Sequence, residues 1–146
     1  MTGHGKEFMK TRIQTYSPRT LIVDDSETFL TSLRRALTLQ GVVDVVGTAT
    51  DGREALEKAG TLTPDLVLMD LNMPKLDGLQ TTLLLRQQAP NSRIIIMTAV
   101  ATAALSVFCQ THGAHGFIAK QSILHTLAAE IQRLFPAVPH DSSVST

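Results

Sequence analysis

The sequence has a single cysteine, Cys109, so no internal disulfide framework can form. Its neighbours Val107, Phe108 and Gln110 suggest a helical position rather than a metal knuckle, and a reducing compartment fits. An excess of one charge is missing too. The 13 basic and 13 acidic side chains cancel, leaving no global field to draw in nucleic acid or an anionic membrane. Any partner must therefore be recognised locally. No apolar run approaches the roughly 18 residues needed to cross a bilayer, the N-terminus has no secretory core, and there is no Walker-type glycine loop. These absences lead us to expect a cytoplasmic chain with no membrane contact and no direct nucleic-acid binding.

With 43% hydrophobic composition, the 146 residues suffice for one continuous core. Residues 1–17 show little apolar periodicity and read as a flexible N-terminal arm. Pro136, Pro139 and the polar run from Asp141 to Thr146 read as a flexible tail over 136–146, leaving 18–135 as the domain. Within it, Thr20 to Val23 is a short β-prone run ending abruptly at Asp24 and Asp25. Ser26 then offers an N-cap, Phe29, Leu30, Leu33, Ala36 and Leu37 recur at helical spacing, and Gly41 stops the helix.

The alternation repeats along the chain. Strands are expected over Val42 to Ala49, Asp65 to Asp70, Arg93 to Met97 and Gly116 to Ala119. Helices are expected over Asp51 to about Ala59, Leu79 to Gln88, Ala101 to His112 and Ile123 to Phe135. In the last of these, Ile123, Leu124, Leu127, Ala128, Ile131 and Leu134 should face inward. Five strands, apolar on both faces, alternating with five helices predict an α/β fold: a doubly wound, five-stranded parallel sheet between two helical layers, with right-handed crossovers.

Ligands of such sheets bind beyond the carboxyl ends of the strands. There the first strand delivers Asp24 and Asp25, the third Asp70, the fourth Thr98 and the fifth Lys120. Each alone has a plainer reading: an Asp pair is more often a polar loop, a lysine after a strand is usually solvated, and a threonine is usually satisfied by backbone. Pro74 with Gly78 is usually only a turn. Their joint arrival at the ends of the right strands is the specific signal. Clustered carboxylates repel unless a cation neutralises them, and a hard ion such as Mg²⁺ suits oxygen donors and phosphate. A carboxylate can serve as nucleophile toward phosphorus, with a lysine offsetting charge on the transferring group. By contrast, His112 and His115 straddle the turn at Gly113, so no metal site is expected there, and Leu105 and Phe108 read as core more readily than as surface.

Five segments carry a family resemblance: Leu21-Ile22-Val23-Asp24-Asp25; Leu66 through Asp70 to Pro74; Asp77-Gly78; Ile96-Met97-Thr98-Ala99; and Gly116-Phe117-Ile118-Ala119-Lys120. Over about residues 18–135 this order resembles the receiver domains of two-component response regulators, which have a flavodoxin-like fold of five βα units. The resemblance implies that Asp70 is the phosphoacceptor, that Asp25 contacts Mg²⁺ directly, that Asp24 holds it through water, and that Asn72 supplies a backbone carbonyl. It makes Thr98 the switch hydroxyl, Lys120 the cation that pairs with the phosphoryl group, and Phe117 an aromatic rotamer switch. A sensor histidine kinase or phosphotransfer protein would be the donor, and a downstream protein or an output domain the receiver of the signal.

Such a chain is a switch rather than a dedicated enzyme. Gln121 stands where many receivers have proline, so a trans bond is expected, as in LuxR-type regulators, whose Gly-Ala-x-Gly-aromatic run is echoed by Gly113 to Phe117. Those regulators carry a helix-turn-helix output domain that is not expected here, leaving a free-standing receiver or a fragment of a longer regulator. Val100, two positions beyond Thr98, is expected to restrict water and slow dephosphorylation. Gln132 and Arg133 on the last helix could serve a homodimer interface. Two rival readings fit less well. A haloacid-dehalogenase-like phosphatase needs an acid where Asn72 stands, and a phosphorylation-independent pseudo-receiver would not need the complete acidic cluster.

Overall fold

The computed structural model describes residues 16–136. Along them alternate β1 (Arg19–Val23), α1 (Glu27–Gln40), β2 (Asp44–Ala49), α2 (Gly52–Leu62), β3 (Leu66–Asp70), α3 (Gly78–Gln88), β4 (Arg93–Thr98), α4 (Ala103–Thr111), β5 (Gly116–Ala119) and α5 (Ile123–Leu134). A 3₁₀ turn, Lys120–Ser122, joins β5 to α5. The expected arm through residue 15 and the expected tail from residue 137 lie outside the described residues. Tyr16 and Ser17, expected within the arm, instead pack on the domain. The Tyr16 hydroxyl donates to Asp65, its ring meets Phe135 at 5.6 Å, and the Ser17 hydroxyl donates to the Gly41 carbonyl.

Local chemistry explains where the helices begin and end. Ser26, Asp51, Asp77 and Thr102 each accept the backbone N–H three residues on, from Phe29, Glu54, Gln80 and Leu105, satisfying donors that have no partner within the helix. Asp77 and Gln80 close a reciprocal capping box at the start of α3. Gly41 ends α1 at φ 76°, a left-handed conformation that glycine adopts without side-chain strain. Two boundaries differ from expectation. β2 starts at Asp44 because Val42 and Val43 form a bend, and α2 continues past Ala59 to Leu62.

All strands are parallel, in the order β2-β1-β3-β4-β5. Successive side chains of a strand point to opposite faces, so each inner strand feeds two cores. Leu21, Val23, Val67, Met69, Ile94 and Ile96 pack with Ala55, Leu85 and Cys109 of α2, α3 and α4. Ile22, Leu66, Leu68, Ile95 and Met97 pack with Leu30, Leu33 and Leu37 of α1 and Ile123, Leu127 and Ile131 of α5. The expectation of strands apolar on both faces therefore describes β1, β3 and β4. It is corrected for β2, an edge strand whose Asp44 is exposed and whose middle is only half-buried. Leu124 and Ala128 are also corrected: both are exposed, because the stripe at Ile123, Leu127 and Ile131 already seats α5.

His112 and His115 each engage a ring nitrogen locally. His112 Nδ1 lies 2.7 Å from the Phe108 carbonyl, and half-buried His115 accepts the Ile94 N–H on Nδ1 at 2.9 Å. Burial, reinforced by Arg86, Arg93 and Arg133, pushes the His115 pKa down to about 4. The folded state thus binds this proton less readily than the unfolded chain. The resulting stability is present above the unfolded value near 6.5 and is lost as pH falls toward the folded value. The thermal midpoint should drop between pH 6.5 and about 4, and more steeply in wild type than in His115→Asn. Parallel pH profiles in thermal melts of the two proteins would contradict this.

Candidate functional site

The strand order reverses at β1 and β3, and the chemistry stands at their carboxyl ends. Asp24 follows β1 directly and is 1% exposed, whereas Asp25 beside it is open to solvent. Asp70 closes β3 at 3% exposure, Thr98 closes β4 at 2%, and Lys120 follows β5. Parallel register aligns these ends, since Val23 pairs with Met69, Asp70 with Met97 and Thr98 with Ala119.

Asp24, Asp25 and Asp70 each offer a carboxylate oxygen, and the three oxygens lie within 4.8 Å of one another. The Lys120 ammonium bridges the two buried acids, 2.6 Å from Asp24 Oδ2 and 3.1 Å from Asp70 Oδ1. Asp24 Oδ1 accepts the Ser26 N–H at 2.9 Å, and Asp70 Oδ1 takes a long contact from the Asn72 N–H at 3.4 Å. Burial pushes the Asp70 carboxyl pKa up, the charge of Asp24 pushes it further, and Lys120 and Asn72 offset this only in part. Burial also opposes the Lys120 charge, but the two carboxylates outweigh it and raise the lysine pKa, so the ammonium stays protonated. Three hard oxygen donors with a surplus of negative charge fit a divalent cation such as Mg²⁺.

Thr98 Oγ1 accepts the Val100 N–H at 3.3 Å and lies 3.5 Å from the Val100 carbonyl, so it is engaged with its own loop. Val100 is 70% exposed, and with Asn72, Thr98, Leu105 and Phe108 it lines an open cleft beside Asp70. Phe117 is half-buried against the same core as Leu105. The expectation that Phe108 is core is corrected: it is 49% exposed, with its ring 4.2 Å from that of His112. Cys109 is the only fully buried residue of α4; Leu105 packs half-buried against the same core, and most of the remaining helix faces solvent. Gln121 lies within the 3₁₀ turn, and no cis peptide bond occurs among the described residues.

Two positioning features escaped the sequence reading. Gly78, read there only as part of a turn, packs so closely under Asp70 that a Cβ would stand 2.2 Å from the Asp70 carbonyl oxygen. Its N–H donates to the Leu71 carbonyl, fixing the start of α3 against the end of β3. Phe29, counted among core-spaced residues of the first helix, places its ring 4.6 Å from the Lys120 ammonium.

With this geometry established, comparison with known proteins identifies the chain. The response regulator receiver domain family matches residues 20–132, and the protein belongs to that family, whose members act in two-component signalling. The transcriptional regulatory protein LnrK of Bacillus subtilis is 33% identical over 111 residues, 76% of this chain and 50% of that protein. The chain thus spans about half the length of the curated relatives it first matches. The receiver domain of the NarL response regulator of Mycobacterium tuberculosis superimposes with a TM-score of 0.72 at 32% identity, covering 81% of this chain and 95% of that one. A CheX–CheY–BeF₃–Mg²⁺ complex from Borrelia burgdorferi gives a TM-score of 0.69 at 29% identity, covering 80% and 88%.

The raised Asp70 pKa carries a stability consequence. The protonated form contributes stability below the ordinary carboxylate range, and that contribution is lost as pH rises through the raised folded value. At neutral pH the ionised carboxylate therefore costs stability unless a cation is bound. Asp70→Asn should melt a few degrees higher than wild type in EDTA, a shift that corresponds to roughly 1 kcal/mol in a domain of this size. Mg²⁺ should raise the wild-type midpoint and leave that of the variant nearly unmoved. A variant that melts lower than wild type in EDTA would contradict the charge argument.

Proposed function

We propose that this receiver is a phosphorylation switch in which Asp70 accepts a phosphoryl group. The observation that carries the reading is the cluster of Asp24, Asp25 and Asp70 within 4.8 Å, with Lys120 bridging two of them. An Asp70 oxygen attacks phosphorus as the bond from phosphorus to the donor breaks, forming an acyl phosphate and releasing the donor group. With a phosphohistidine donor, the N–P bond breaks and the histidine is freed. Asp24, Asp25, Asp70 and the Asn72 carbonyl would hold Mg²⁺, which supplies charge neutralisation at the transferring group.

In this scheme Lys120 exchanges a carboxylate contact for a phosphoryl oxygen. Thr98 releases the Val100 backbone and turns its hydroxyl toward the new dianion, and half-buried Phe117 follows into the space vacated. The face built from α4, β5 and α5 then changes shape. A sensor histidine kinase or phosphotransfer protein supplies the phosphoryl group, and the altered face controls a downstream protein, an output domain or a second copy of the chain. Greater length among its relatives, including a transcriptional regulatory protein, favours the receiver segment of a longer regulator as a second context.

Incubation with acetyl phosphate and Mg²⁺ should add the mass of one phosphoryl group to wild type and none to Asp70→Asn. No gain in wild type would leave a phosphorylation-independent interaction module. Val100 sets an exposed apolar side chain in the cleft that an attacking water must enter. Val100→Glu, which can hydrogen-bond and orient that water, should shorten the phosphoprotein half-life several-fold. An unchanged half-life would remove Val100 from the account.

A further inference from the structure

Besides its two acids, the Lys120 ammonium lies over an aromatic ring. It stands 4.6 Å from the centroid of the Phe29 ring, within the roughly 6 Å over which an aromatic face attracts a cation. We infer that Phe29 is a positioning residue whose ring holds the ammonium at the rim of the site when a metal ion and a phosphoryl group claim the carboxylates. The inference rests on the reading of Asp70 as phosphoacceptor.

The ring is tied to the acids it serves. Asp24 Oδ1 accepts the Ser26 N–H at 2.9 Å, and Ser26 Oγ accepts the Phe29 N–H at 3.2 Å, so one hydrogen-bonded turn links Asp24 to the ring. Phe29 is itself half-buried against the core beneath α1 and α5, which limits its drift.

The need for such a partner follows from the lysine's position. Its side chain is only 22% exposed, and its shortest contact is to the buried Asp24. When a cation's shell engages Asp24, that contact weakens as the ammonium turns toward the incoming phosphoryl group. A third carboxylate could not take its place, because it would compete for the metal and repel the phosphoryl oxygens. A neutral ring attracts the ammonium through its quadrupole and does neither, whereas an aliphatic side chain of similar bulk packs without attracting. Lys120 thereby keeps a partner in both states.

The test replaces Phe29 with 4-fluoro-, 3,5-difluoro- and 3,4,5-trifluorophenylalanine, which preserve shape while weakening the negative face of the ring stepwise. Thermal midpoints should fall by no more than a few degrees across the series, showing that the fold is retained. The rate of phosphorylation by acetyl phosphate at fixed Mg²⁺ should fall along it, by roughly threefold to tenfold at the last member, with Phe29→Leu at a similar rate. A level rate across the series in a protein whose wild type is phosphorylated overturns this inference alone. A wild type that gains no phosphoryl group overturns the reading of Asp70 and this inference with it.

Discussion

Two carboxylates taken out of water share one ammonium, and much of the site follows from that imbalance. Lys120 neutralises a single charge between Asp24 and Asp70, and exposed Asp25 adds a third negative group on the same rim. Desolvation strengthens every Coulomb interaction, so the surplus bears most on Asp70, whose ionised form is disfavoured both by burial and by its neighbour. A site built in this way calls for added positive charge.

The sheet exists to hold that imbalance in place. Its inner strands are buried on both faces, and alternating side chains lock them between the α1/α5 layer and the α2/α3/α4 layer. The backbone ends carrying Asp24, Asp70 and Thr98 therefore have little freedom to relax apart, although relaxation would relieve the repulsion. Stability from apolar burial in the core is what permits electrostatic tension at the edge.

Most of the architecture was legible because the signals were local: apolar runs of strand length, helix caps at Ser26 and Asp51, and the stop at Gly41. The site acids and lysine were legible because parallel strands expose their carboxyl ends together, so their sequence positions alone predicted convergence. What escaped depended on distance in space rather than along the chain. The spacing of Phe29 is that of a core residue, and only the fold brings a lysine ninety-one positions later over its ring. Leu124 and Phe108 look apolar and periodic, yet neither is buried, because other residues of the same helices had already filled the available interior. Gly78 read as a turn because a glycine's role in close packing leaves no mark in composition.

That packing has a mechanical meaning. The Gly78 backbone abuts the Asp70 carbonyl so tightly that no methyl group would fit, and a capping box clamps the same end of α3. The β3–α3 corner is a rigid stop. The cleft beside Asp70 is flanked by α4, seated on the body by buried Cys109 and half-buried Leu105. Under the proposed phosphorylation, a bulky, charged addition at Asp70 would meet a wall at the β3–α3 corner and a lightly anchored helix across the cleft. In that scheme the asymmetry would make the domain a directional transducer, with work done at the acid passing toward α4 and its neighbouring strand.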